Sequence, residues 1–310
     1  MDLGARNRFI KEEAKRLGFE ACGIAQVSLL EKEKSYLENY LKHHRHASMQ
    51  YMENHIEKRL NPALLVDDAK SVISVLYNYY YPIPEDDRPY KVSMYARGAD
   101  YHYVIKSKLQ ELADSLTKEF GTHKFRVFTD SAPVLEKSWA VKAGLGWIGK
   151  NTCLINRGKG SFFFLGELVT TLEAIYDEPE EERCGTCTRC LEACPTGALT
   201  GPGEIDAGKC ISYLTIEHKG EFTDEMPKDF RKYIFGCDIC QQVCPWNRFS
   251  KAHDEPLFNT TPFITELEKY GITSDSANSF RRRFKNTPLE RTGEKNLIRN
   301  IRHIDRKVHK

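Results

Sequence analysis

The apolar positions along the chain alternate between two spacings. Phe9, Ile10, Ala14 and Leu17 recur at helical intervals and stop at Gly18, which predicts a first helix over residues 6–17. Ser71 to Tyr77 (SVISVLY) is a β-branched run and predicts a strand. The longest helix is predicted over Tyr101 to Phe120, where Val104, Ile105, Leu109, Leu112, Leu116 and Phe120 fall on one face. Phe125 to Phe128 predicts a short strand that opens into a loop at Asp130, Val134 to Ala143 a helix, and Ser161 to Val169 (SFFFLGELV) a buried strand. The mixture implies an α+β or α/β unit at residues 1–176. The acidic run Asp177 to Glu182 marks a boundary, a cysteine-rich unit at 177–250 follows, and a polar stretch from Asn247 to Thr261 leads into a basic helical segment at 251–310.

Composition narrows the class. The 310 residues carry 46 Lys and Arg against 44 Asp and Glu, and 40% are hydrophobic, which excludes an intrinsically disordered chain. No apolar run approaches the ~18 residues of a membrane span, and the opening Met-Asp-Leu-Gly-Ala-Arg lacks a signal-peptide pattern, so a cytoplasmic chain without a membrane partner is expected. From Arg281 onward eleven Lys and Arg face three acids, a concentration of positive charge suited either to a polyanion or to a solvated helix.

The cysteines carry the strongest signal. Eight of the ten lie between Cys184 and Cys244, in the runs Cys184-x2-Cys187-x2-Cys190-x3-Cys194-Pro195 and Cys237-x2-Cys240-x3-Cys244-Pro245, with Cys210 between them. The first run has the bacterial two-cluster ferredoxin spacing, in which three thiolates hold one [4Fe–4S] cube and the fourth ligates its neighbour. Reciprocity assigns Cys184, Cys187, Cys190 and Cys244 to one cluster, and Cys194, Cys210, Cys237 and Cys240 to the other. A pair of zinc sites would also use eight thiolates but normally draws on paired CxxC knuckles. Cys22 and Cys153 are left over as free thiols.

Gly144, Gly146 and Gly149 satisfy G-x-G-x-x-G, yet a helix is predicted before them where a dinucleotide fingerprint needs a strand. Gly144-x4-Gly149-Lys150 has a P-loop outline, but Asn151 stands where magnesium needs a hydroxyl. A glycine-rich turn open to close approach remains.

YARGADYH, TDSAPVLEK, AGLGWIGKNT, the cysteine runs, CISYLTIEHKG and GCDICQQVCPWNR together resemble the epoxyqueuosine reductase family over nearly the whole chain. The resemblance implies a nitroreductase-like cobalamin-binding domain, shared with corrinoid reductive dehalogenases, joined to a two-[4Fe–4S] ferredoxin-like domain. It implies reduction of epoxyqueuosine to queuosine at the wobble position of tRNA, with Asp130 as proton donor. A D-x-H-x-x-G cobalamin signature is not completed, because Asp100-Tyr101-His102 is followed by Ile105. Groups able to meet a corrinoid's amides and phosphate are Arg59, Arg97, Tyr101, Asp130, Lys150, Asn151, Ser161, Ser212, Thr215 and Asp238. Arg281, Arg282, Arg283, Lys285, Arg299 and Arg302 are the candidate tRNA contacts, and Trp246 could either stack on a base or shield a cube. An external donor of the flavodoxin or ferredoxin class is implied. The competing classes are an electron-transfer module without its own substrate and a corrinoid enzyme acting on a small molecule.

Overall fold

The computed structural model describes residues 2–83, 87–272 and 277–308. Its strands are β1 (Ala21–Gln26), β2 (Ser71–Asn78), β3 (Lys91–Val92), β4 (Phe125–Phe128), β5 (Trp147–Ile148), β6 (Leu154–Ile155), β7 (Phe163–Thr170), β8 (Leu199–Gly201), β9 (Glu204–Ile205) and β10 (Tyr233–Phe235). The helices are α1 (Leu3–Arg16), α2 (Glu31–Lys42), α3 (Ile56–Leu60), α4 (Tyr101–Phe120), α5 (Glu136–Lys142), α6 (Arg189–Ala193), α7 (Ile211–Ile216), α8 (Ile239–Gln242), α9 (Pro262–Tyr270), α10 (Ala277–Phe284) and α11 (Leu289–Val308), the last bent at Gly293.

β1, β2, β7 and β4 form one sheet in that order, and all three pairings are antiparallel. The first unit is therefore α+β, since a parallel α/β sheet would need crossovers between neighbours. β2 reads as an unbroken run because both its faces are covered. Ile73, Val75 and Tyr77 pack with α1 and α4, whereas Val72 and Leu76 pack with Trp139 and Ala140 of α5. Gly166 permits the close seat of α4, because a Cβ there would come within 2.9 Å of Ile105 and Leu109. Asp100 caps α4 by accepting the His102 amide at 3.0 Å, which places Tyr101 and His102 in its first turn.

A second core joins segments far apart in sequence. Val92 and Ala96 pack with Ile211 and Leu214 of α7, Ile234 and Phe235 of β10, and Leu289, Leu297 and Ile301 of α11. β3 pairs in parallel with β10, so residues 91–97 bridge the sheet unit to the cysteine-rich unit. Among the described residues no helix is long and apolar enough to cross a membrane.

Candidate functional site

Cys184, Cys187, Cys190 and Cys244 line one small cavity of about 40 Å³, together with Lys150, Asn151 and Trp246. Among the described residues no three His, Cys, Asp or Glu side chains converge on a single-ion site. The four thiols surround a space, as a polynuclear cluster requires. Lys150 Nζ donates to the carbonyls of Gly185 at 2.6 Å and Cys187 at 3.1 Å, pinning the loop that carries three of them. Trp246 sits edge-to-face on Trp147 at 5.0 Å between ring centres and walls the cavity, so it shields the thiols.

Cys194, Cys210, Cys237 and Cys240 form a deeper set. Burial pushes the Cys210 and Cys237 thiols up, and both feel Cys194 nearby. That penalty on the thiolate disappears when a cation is bound, so the donor set suits a cluster. α6 and α8, the equivalent short helices of the two cysteine runs, pack against each other. The glycine-rich turn clasps this region. Asn151 Nδ2 donates to the Cys240 carbonyl at 3.2 Å, and Asn247 Oδ1 accepts the Ser161 amide at 2.6 Å. Lys150, Asn151 and Ser161 are thus engaged in bracing the cysteine loops. Cys22 is a thiol on β1 that burial pushes up to about 12, and Cys153 sits beside Cys240.

A second cluster of groups gathers where β4 ends. Asp130 adopts a left-handed φ of 45° and leaves its side chain 59% exposed. Asp is among the few residues that tolerate this conformation. The Tyr101 hydroxyl donates to Asp130 Oδ2, and the Asp130 amide donates to the Glu136 carboxylate. His102 Nε2 lies 3.8 Å from the same Oδ2. The Tyr101 ring is stacked between His102 and Phe164, each 4.2 Å away between centres. Burial, then Asp130, pushes the Tyr101 phenol well up.

Below Asp130, burial and then the Asp130 charge push Glu136 up to about 8. Glu167 of β7 is 0% exposed, and neither of its carboxyl oxygens has a hydrogen-bond partner. Burial raises it well above the carboxylate range, with Glu136 and Asp130 adding to the effect. Across the opening, Arg291 pairs with Glu217 at 2.8 Å and feels Asp130, Tyr51 and Tyr101. Tyr51, Glu136, Glu167, Glu217 and Arg291 all escape sequence reasoning. A charged residue inside the apolar run SFFFLGELV was the available signal for Glu167.

Several predicted contacts have other work. Arg97 is 6% exposed and holds Glu268 with two nitrogens, at 2.5 and 2.8 Å. Arg59 is buried and donates to the carbonyls of Tyr51 at 2.6 Å and Asn54 at 3.1 Å, so it shapes the turn bearing Tyr51. The Thr215 hydroxyl, fully buried, donates to the Ile211 carbonyl and accepts the Gly236 amide. Asp238 accepts from the Ser93 hydroxyl and the Met94 amide, and burial pushes it up to about 6. Ser212 is half-buried on α7, two residues after Cys210.

Of the basic residues, Arg281, Arg282, Lys285 and Arg302 are exposed, and Arg283 is half-buried 3.9 Å from Glu266. Arg299 is corrected. It is 7% exposed, and its guanidinium donates to the carbonyls of Leu214, His218 and Gly220, tying α11 to the cysteine-rich unit.

Two family profiles match the chain: a 4Fe-4S double cluster binding domain over residues 183–247, and "Epoxyqueuosine reductase QueG, DUF1730" over residues 59–131. An epoxyqueuosine reductase of Cellulophaga algicola is 51% identical over 292 residues, covering 94% of this chain and 95% of that one. A crystal structure of epoxyqueuosine reductase with an epoxyqueuosine-modified tRNA-Tyr stem loop superposes with a TM-score of 0.88 at 30% identity, over 98% of this chain and 81% of that one. The catabolic reductive dehalogenase NpRdhA shares the fold, with a TM-score of 0.51 at 17% identity, over 97% of this chain and 38% of that one.

Proposed function

The chain belongs to the epoxyqueuosine reductase family, and from that premise we propose that it reduces epoxyqueuosine in tRNA to queuosine, with Asp130 supplying a proton to the departing oxygen. One observation carries this reading. An exposed carboxyl, bonded to a phenol and backed by half-buried Glu136 and buried Glu167, stands at the end of β4, while Lys150 and Asn151 hydrogen-bond to both cysteine runs, whose thiols suit two clusters. Opening the epoxide and forming the ring double bond breaks two C–O bonds, and the oxygen leaves as water after taking up two electrons and two protons.

The cysteines fit two [4Fe–4S] cubes, in the reciprocal sets given by the spacing. Cobalamin fits in kind: Tyr101 and His102 offer a stacked aromatic pair beside Asp130, and Tyr51 offers a phenol near the same carboxyl. When bound, the cubes supply single electrons, and cobalamin supplies a centre that accumulates reducing power and acts at carbon. This chain's own residues do the rest. The Tyr101 hydroxyl fixes Asp130 Oδ2, and Glu136 holds the backbone of the same residue, so the acid is aimed before substrate arrives. Trp147 and Trp246 keep water from the outer thiols.

The loop at 181–190, mostly exposed, is the proposed landing place for a flavodoxin- or ferredoxin-type donor, because its thiols are the shallower set. Arg281, Arg282, Lys285 and Arg302 are the proposed phosphate contacts. The test is anaerobic turnover of the enzyme loaded with iron, sulfide and cobalamin on tRNA carrying epoxyqueuosine, with nucleosides read by mass. Loss of one oxygen is expected. A fully loaded enzyme that leaves the nucleoside unchanged overturns the reading and leaves an electron-transfer module.

A further inference from the structure

We propose that Asp100 and His102 form a proton-delivery pair that reloads Asp130 from solvent, an inference that rests on the reduction proposed above. The stoichiometry sets the need. Water leaves only after two protons have been delivered, and one carboxyl carries one. A second proton must reach the same acid, or the same oxygen, within each turnover.

His102 is placed for this. Its Nδ1 is 2.6 Å from Asp100 Oδ1, and its Nε2 is 3.8 Å from Asp130 Oδ2. The first contact fixes the tautomer, so a neutral ring keeps its proton on Nδ1 and turns a lone pair toward Asp130. The second is longer than a hydrogen bond and closes with one water or a small side-chain rotation. Tyr101 stacks on the imidazole with its ring plane 25° away and stacks in turn on Phe164, so the ring is held in position. The His102 side chain is 24% exposed against 59% for Asp130 in the free chain, so it keeps a water contact that the fully buried Glu167 lacks and serves as the route once bound substrate covers the acid. Glu136 meets Asp130 only through the backbone amide, so the hydrogen bond there holds the loop and does not load the carboxyl.

The groups facing this pair are Tyr101, Lys106 one turn along α4, and Asp130, and Asp130 is felt in turn by Glu136 of α5, Glu167 of β7, Tyr51 and Arg291. Burial works against a charged His102, but the bond to Asp100 and the charges of Asp100 and Asp130 outweigh it, and the imidazole is held above its ordinary value. The step balances. The Nε2–H bond of the imidazolium breaks, an O–H bond forms on the Asp130 carboxylate, and Nε2 takes its next proton from water. His102 acts through Asp130 and touches no substrate, so it is a positioning residue.

The test uses the loaded enzyme on tRNA bearing epoxyqueuosine. His102→Gln should lower turnover by about 100-fold, the usual scale of an acid–base contribution, with iron and corrinoid content unchanged. Added imidazole should restore a good part of the rate to His102→Ala, and the alkaline limb of the wild-type pH profile should be missing from His102→Gln. Asp100→Asn, which keeps an N-capping side chain, should move that limb to lower pH and lower the titration midpoint of His102 read by imidazole NMR. A loaded His102→Gln enzyme with an unaltered pH profile, or a His102→Ala enzyme that imidazole does not rescue, overturns the proposal. Should His102 variants fail to fold, an unmoved limb and an unmoved midpoint in Asp100→Asn overturn it. Wild-type enzyme inert on the tRNA counts against the functional reading, while the NMR midpoint still reports separately on the pair.

Discussion

Replacing Arg97 with Met separates a folding role from a cofactor role. The guanidinium grips Glu268 Oε1 at 2.5 Å and Oε2 at 2.8 Å, and its Nε donates to Thr260 at 2.9 Å. Glu268 is 1% exposed, so losing this partner strands a buried carboxylate. Breaking one side of a buried ion pair costs about 3–5 kcal/mol. Arg88, 2.5 Å from Oε2, and the Val92 amide, 3.0 Å from Oε1, continue to hold Glu268, which puts the loss at the lower end. At roughly 2–4 °C per kcal/mol for a chain of this order of size, about 3 kcal/mol lowers Tm by about 6–12 °C. Calorimetry of the loaded enzyme, with corrinoid content measured on the same samples, reads both quantities. The expected result is a lowered Tm with corrinoid retained at temperatures where the variant is folded. A Tm within about 2 °C of wild type together with loss of corrinoid refutes the ion-pair reasoning and restores Arg97 to the cofactor.

Glu167→Gln should leave stability near wild type at acid pH and exceed it increasingly as pH rises above 4.5, the ordinary carboxyl value. The native chain keeps the Glu167 proton there while the unfolded chain releases it, so wild-type stability falls with rising pH; denaturant midpoints that stay parallel between acid and alkaline pH would contradict this. Arg281→Glu with Arg282→Glu should weaken tRNA binding and flatten its dependence on salt, measured by filter binding over a salt series, and an unchanged slope removes the patch from the interface. Cys210→Ser should lower iron content by about half while leaving the Cys184 set loaded, because Cys210 belongs to only one of the two sets; full iron retention would break the reciprocal assignment.

What the sequence makes legible follows the range of the interactions. Cysteine ligands announce themselves because their chemistry fixes their spacing, and the chain brings the first three of the first run together around one cavity with Cys244 added from 54 residues after Cys190. β2 and β7 are equally legible, since burial on both faces leaves an apolar run. The fates of the arginines are not. Arg97 and Glu268 are 171 residues apart, and Arg299 spends its charge on carbonyls 79 to 85 residues away, so their composition reads the same as that of a ligand contact. Glu136 lay inside a quoted motif, yet its hydrogen bond to the Asp130 amide depends on the left-handed turn, which local sequence permits without requiring. Antiparallel pairing was likewise hidden, because it is set by which strands meet in space.

The central claim is that the Asp130 carboxyl protonates the oxygen that leaves. A single turnover of Asp130→Asn, loaded with both clusters and cobalamin, reduced, and mixed with tRNA carrying epoxyqueuosine, addresses it most directly. The account predicts wild-type iron content and corrin absorbance with almost no queuosine formed. Queuosine appearing at the wild-type rate in that variant would contradict it.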